Sequence, residues 1–212
     1  MKKIFILCFL FLFSFITVGS ANELQVQPSL EFVKWNHLVN ISIDIIPTQP
    51  LKAYELKIFF DPSHIHVISV EQGDFFQSYP TFYSSGIIDN VNGTIRNLYA
   101  LVLGQGCVNE AGTILILHCN TTGELGLSSI VFNKPGITND TGYVSLDAVN
   151  GNIQVYGQFL PWDCNKDGQC NYLDVSIVAY HYGEHGSQPA DILEDGVVNY
   201  LDVSILVGNY GT

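Results

Sequence analysis

Basic residues are scarce in this 212-residue chain, which holds 8 Lys and Arg against 20 Asp and Glu. Its start reads as a secretory signal peptide over residues 1–21: Met1-Lys2-Lys3, an apolar run from Ile4 to Val18, then Gly19-Ser20-Ala21. A charged start, a short apolar stretch and a small-residue cleavage site define such a segment. Cleavage removes two lysines and leaves six basic residues against 20 acidic ones, a net charge of −14. Nucleic acids and anionic membranes require positive potential, so neither is an expected partner. Long apolar runs are missing as well. Ile4–Val18 falls short of the roughly 20 residues of a membrane span, and no later stretch is longer. The expected product is secreted, with cell-surface association and an uncleaved N-terminal anchor left open.

The constellations of catalysis are also absent. Spacing supports no paired carboxylates on facing strands, no nucleophile with its base and no phosphate loop, which argues against an enzyme. No Cys-x-x-Cys with histidine partners points to structural zinc. Cys107, Cys119, Cys164 and Cys170 remain after the signal. An even count in an exported chain suggests two disulfides, and sequence proximity favours 107–119 and 164–170 among the three pairings. Glycosylation sequons begin at Asn40, Asn92, Asn120 and Asn139, in keeping with an exported surface.

What the chain does have is β-periodicity from Leu24 to Tyr156. Val39, Ile41, Ile43 and Ile45 alternate with polar residues, as do Tyr54, Leu56 and Ile58, and similar runs recur to 152–156. Turn residues such as Asp61-Pro62-Ser63, Asn92-Gly93 and Asn150-Gly151 separate them. Residues 22–157 are therefore expected to form an antiparallel β-sandwich, and the whole chain to be mostly β plus a small α part. Phe159, Leu160 and Trp162 are expected either between two domains or over the second domain's own core. An aromatic cluster of Phe75, Phe76, Tyr79, Phe82 and Tyr83 leaves room for stacking on sugar rings.

Residues 158–212 carry eight acidic side chains against Lys166 alone. Within them one pattern occurs twice, Asp163 to Asp174 and Asp191 to Asp202, each followed by a helix-like stretch. Over 21 aligned positions 12 residues are identical, including Asn-Tyr-Leu-Asp-Val-Ser-Ile. Oxygen ligands at positions 1, 3, 5, 7, 9 and 12, with Gly at 6, suit a hard dication. The first set is Asp163, Asn165, Asp167, the Gln169 carbonyl, Asn171 and Asp174. The second is Asp191, Asp195, the Val197 carbonyl, Asn199 and Asp202, weakened because Leu193 at position 3 cannot ligate. Two calcium sites are expected, the second weaker. Like-charge repulsion makes folding of the segment depend on metal. Leu173, Ile177 and Tyr180 fall on one helix face, with Gly183 and Gly211 as stops.

The duplicated loop–helix resembles the dockerin module and its D-x-N-x-D-G-x-x-N-x-x-D-x-x-x-[IL] repeat over roughly 163–211. The sandwich resembles the cohesin domain through Tyr54–Ser63, Val67–Phe76, Ile87-Ile88-Asp89 with Gly93-Thr94-Ile95, and Val149–Val155. This resemblance implies a jelly-roll fold related to carbohydrate-binding modules. It also implies a non-catalytic scaffold that joins cohesin and dockerin modules of other proteins in polysaccharide-degrading or cell-surface complexes. Positions 10 and 11, Tyr172-Leu173 and Tyr200-Leu201, are where the resemblance places partner choice; alternatively the leucines are core. Another reading is a carbohydrate-binding module tethered through its dockerin, with polysaccharide as ligand.

Overall fold

A computed structural model describes residues 21–157 and 159–212. The expected signal peptide lies outside the described residues but for Ala21. Among these, β1 (Asn22–Gln27), β2 (Leu30–Lys34), β3 (Leu38–Ile46), β4 (Ala53–Phe59) and β5 (Ile65–Gln72) come first. Next are β6 (Thr81–Asp89), β7 (Thr94–Val102), β8 (Gly112–Thr121) and β9 (Gly126–Phe132). The last strands are β10 (Gly136–Asn139), β11 (Gly142–Tyr143), β12 (Leu146–Val149) and β13 (Gly151–Tyr156). Two helices follow, α1 (Tyr172–Tyr180) and α2 (Tyr200–Gly208).

Alternation decides which way each strand faces. In β3, Ile41, Ile43 and Ile45 are buried while Ser42 and Asp44 turn away, because successive side chains leave a pleated strand on opposite sides. Two sheets stack these apolar faces. One runs β12-β1-β3-β8-β5. In the other, β4 lies between β7 and an interrupted strand made of β9 and β10, with β6 beyond β7 and β13 then β2 beyond β9. Leu24, Leu56, Ile58, Ile95, Leu115 and Leu117 fill the space between, none more than 2% exposed. The aromatic cluster divides accordingly. Phe75 and Phe76 are core, Tyr79 and Tyr83 pack against it, and Phe82 is exposed.

The expectation of a purely antiparallel sandwich needs correction. β1 pairs with β12, and β2 with β13, in parallel. The first and last segments of the sandwich run side by side and pass together from one sheet to the other. Their crossing is tight: a Cβ on Gly151 would lie 2.4 Å from Val26 Cγ1. Periodicity cannot show this, because strand direction depends on which segments meet.

The disulfides expected from sequence proximity are also corrected, since all four cysteines are free thiols. Cys119 is wholly buried on β8, seven residues and thus about 23 Å along the strand from Gly112. Cys107 lies outside the strand, its Sγ 3.2 Å from Asp140 Oδ2. A bridge needs Cα atoms closer than about 7 Å. Cys164 and Cys170 serve as core side chains of the C-terminal module, where Ile192 and Val198 hold the equivalent places of the second repeat.

That module has its own small core of Cys164, Cys170, Val178, Ala190, Ile192, Val198 and Leu206. Each repeat is tied to the other in the same way. Gly183 N donates to Val198 O, and Gly211 N to Cys170 O, both at 2.8 Å. Neither repeat can bury a core alone, so the pair closes about a pseudo-twofold axis. Trp162 borders this core and meets Phe32 of β2 edge-on, ring centres 5.3 Å apart. Both positions expected for Trp162 are thus realised together, while Phe159 and Leu160 remain 42% and 36% exposed.

Candidate interaction surfaces and calcium loops

Each loop is curled by its own side chains. In the first, Asp163 Oδ1 accepts from Asp167 N at 3.0 Å and Oδ2 from Gly168 N at 2.9 Å. In the second, Asp191 accepts from Asp195 N and Gly196 N at 3.1 and 3.0 Å. Positions 4 and 6 are left-handed in both: Lys166 and Gly168 at φ 62° and 88°, Glu194 and Gly196 at 54° and 88°. Glycine at position 6 tolerates that conformation without a Cβ clash. Asn171 and Asn199 then cap the helices. Their Oδ1 atoms accept from Leu173 N at 2.9 Å and Leu201 N at 2.8 Å, closing capping boxes with Asp174 and Asp202.

The loops hold negative charge with little to offset it. Asp163, Asp174, Asp191 and Asp202 are buried. Among the described residues no Lys, Arg or His pairs with any loop carboxylate. The one lysine of the module, Lys166, lies over the Phe159 ring instead. Burial pushes the Asp191 carboxyl above its ordinary range, and Asp202 and Asp195 add to the rise. The Asp167 carboxyl is held below its ordinary range by the Asn165 amide and the Gln169 N–H. Among the described residues no three His, Cys, Asp or Glu side chains converge as a ready metal cluster. The donor set of carboxylates, carboxamides and a carbonyl nevertheless fits a hard cation such as calcium.

The helix faces come out differently from the spacing. Val178 and Leu206 point into the core, whereas Leu173, Tyr180 and Leu201 are 42%, 80% and 37% exposed. Tyr172 and Tyr200 are 67% and 66% exposed. The leucines are therefore surface and not core. The helices also end earlier than Gly183 and Gly211, with His181 and Asn209 as their C-caps.

A second surface lies on the outward side of β6, β7, β4 and β10, and sequence reasoning did not single it out. Strand register sorts its side chains into rows. Phe82, Leu101, Ala53 and Thr138 form one row, and Ser84, Tyr99, Glu55 and Gly136 the next. Beyond a bulge between Leu56 and Ile58 comes a basic group of Lys57, Arg96 and Lys134 around a hollow of about 290 Å³. Tyr143 of β11 borders the apolar rows, and Phe82 and Tyr99 lie 5.8 Å apart. Arg96 makes a long contact with Asp89, 3.9 Å.

The histidines at the start of β5 and the sequon asparagines have local roles. His64 bonds to the Leu125 carbonyl and to Ser63, and His66 stands exposed on β5. Asn40 Oδ1 accepts from the His118 ring, Asn139 Nδ2 donates to Gln49, and Asn120 lies one residue before the end of β8. Asn92 is exposed in the turn between β6 and β7.

The cohesin domain family matches residues 38–155, more than half of the chain, and the chain belongs to that family. Its fold is similar to the Coh-OlpC–Doc435 type I cohesin–dockerin complex from Clostridium thermocellum. There the TM-score is 0.54 at 16% identity, over 65% of this chain and 95% of that one. The Coh-OlpA–Doc918 complex of the same organism gives 0.53 at 15% identity, over 65% and 100%. A non-cellulosomal cohesin of the hyperthermophilic archaeon Archaeoglobus fulgidus gives 0.52 at 14%, over 65% and 92%. No curated protein matches the chain. Cohesin domains mediate cohesin–dockerin interaction, and the family match ends at Val155.

Proposed function

We propose that this chain is a secreted, non-catalytic adaptor in which the cohesin sandwich carries a calcium-dependent, dockerin-like docking module. One observation carries the reading. Two loop–helix units share backbone conformation, buried aspartates and capping, and each exposes the same Tyr-Leu pair at its helix start. Bound calcium would neutralise buried carboxylate charge. Asp163, Asn165, Asp167, Asn171, Asp174 and the Gln169 carbonyl would hold it in the first loop. Asp191, Asp195, Asn199, Asp202 and the Val197 carbonyl would do so in the second. With the charge offset, the capping boxes and the small core orient α1 and α2, and their exposed faces meet a cohesin-type sheet. The sandwich in turn receives dockerin modules of other proteins, in assemblies that degrade polysaccharide or sit at the cell surface.

Isothermal titration of the chain against an isolated cohesin and an isolated dockerin, with calcium and with chelator, tests both halves. Binding to the cohesin is expected only with calcium. A carbohydrate-binding sandwich tethered through the module is the second reading, favoured by the exposed Phe82 beside Tyr99. Binding to soluble polysaccharide without binding to any dockerin would select it.

A further inference from the structure

Cations in the sandwich are few and unevenly placed. Its basic side chains are Lys34, Lys52, Lys57, Arg96 and Lys134, against 12 acidic ones. Three of these five surround a hollow next to the Tyr99–Leu101 rows, where Glu55 is the acid among the lining residues. A protein this acidic thus presents one outward sheet face that is basic at one end and apolar at the other.

The module at the end of the same chain offers the converse. Eight acidic residues against Lys166 give it a charge of −7, and two bound dications would still leave −3. Its helix starts expose Tyr172, Leu173, Tyr200 and Leu201. We infer that the outward face of β6, β7, β4 and β10 receives the helix pair of a second copy of this chain, joining copies head to tail. This rests on the reading of residues 158–212 as a calcium-dependent docking module, and names one of its partners.

Charge and topology both favour a second copy over the chain's own module. Opposite charge steers encounter and sets register, and apolar rows supply the buried area. The chain's own module is held at β2 by the Phe32–Trp162 contact, after a connection of only Gly157 to Trp162. β13 and β9 separate β2 from β4, a distance of about 14 Å. Docking within one chain would have to break that contact, whereas docking between chains leaves it whole. Groove and module are different surfaces, so the contact is heterologous and propagates into chains or closes into rings.

Light scattering on the secreted chain tests this. With about 1 mM calcium the mass is expected to exceed the monomer and rise with concentration, and chelator returns it to monomer. Raising salt from about 0.05 to about 0.5 M should weaken association by about tenfold or more. The variant Lys57→Glu with Arg96→Glu, and the variant Tyr172→Ala with Tyr200→Ala, should each stay monomeric. Mixed, they should form a one-to-one complex that does not grow, because the pair retains one intact groove and one intact module. That rescue also shows both variants to be folded. Self-docking is overturned if the unaltered chain stays monomeric while calorimetry still records calcium binding and capture of a separate cohesin; the module reading then stands. A monomer that binds neither calcium nor cohesin overturns both. Growth unaffected by Lys57→Glu with Arg96→Glu overturns the assignment of the groove.

Discussion

Asp174 and Asp202 stand at the same point of the two repeats, each wholly buried at the third position of its helix. Each carboxylate accepts from the N–H of its capping asparagine, Asn171 or Asn199, at 2.8 Å. Each also reaches back across its loop, Asp174 to Asn165 N at 3.2 Å and Asp202 to Leu193 N at 3.0 Å. The second repeat has therefore kept the backbone contact of position 3 while losing its side-chain oxygen. The loops share a shape and differ in donor count.

Calcium affinity should follow that difference. Titration calorimetry is expected to show a tight and a weak site, and Leu193→Asn to tighten the weak one by about tenfold through one added oxygen. Two sites of equal strength in the unaltered chain would contradict this.

Docking should tolerate loss of either tyrosine alone. The faces around Tyr172 and Tyr200 are equivalent by the internal symmetry, so a single alanine leaves the other face available. Losing both should weaken cohesin binding by more than about a hundredfold, about 2.7 kcal/mol, while calcium affinity holds, since neither tyrosine is a ligand. One single substitution as damaging as the pair would refute two-face docking.

Thiol chemistry checks the free cysteines. Burial pushes the Cys119 thiol up to about 12, and burial first, then nearby Asp174, pushes Cys164 up to about 12 as well. A raised thiol pKa keeps the unreactive protonated form through neutral and mildly alkaline pH. At about pH 8 in native buffer a thiol reagent should modify Cys107 ahead of Cys119 and Cys164. In denaturant without reductant it should find all four thiols of the cleaved chain. Finding two would show a bridge.

Gly151→Ala should destabilise the sandwich by about 1–3 kcal/mol, because the new methyl overlaps Val26 where the first and last segments cross. Thermal melts read the loss. Val26→Ala should recover part of it in the double variant, a coupling expected of touching residues. Additive losses would place the strain elsewhere.

Much of the fold was legible because its signals are local. The alternation of Ile41, Ile43 and Ile45 reports one buried face whatever the partner strand is. β6 was harder to read: Phe82 and Ile87 are exposed and Gly86 interrupts it, so no clean apolar face appears in the sequence. The helix faces were misread for a related reason. Leu173, Ile177 and Tyr180 look like a core stripe, yet Leu173 and Tyr180 are turned outward, and the core takes Val178 and buried Asp174 with Ile177 packed at its edge.

The sequence by itself determined the duplication, the placing of acid, amide and glycine in each loop, and the surplus of negative charge. These follow from residue type and short spacing, since a loop ligand set is local chemistry. Tertiary structure alone decided what depends on distant segments meeting. It made Cys164 and Cys170 partners of Ile192 and Val198 in one core, and set β1 and β2 parallel to β12 and β13. It also drew Lys57, Arg96 and Lys134 from three separate strands and turns into one basic hollow. Strand register brings such residues within a few ångströms across gaps of about 40 positions, and no local pattern records that closure.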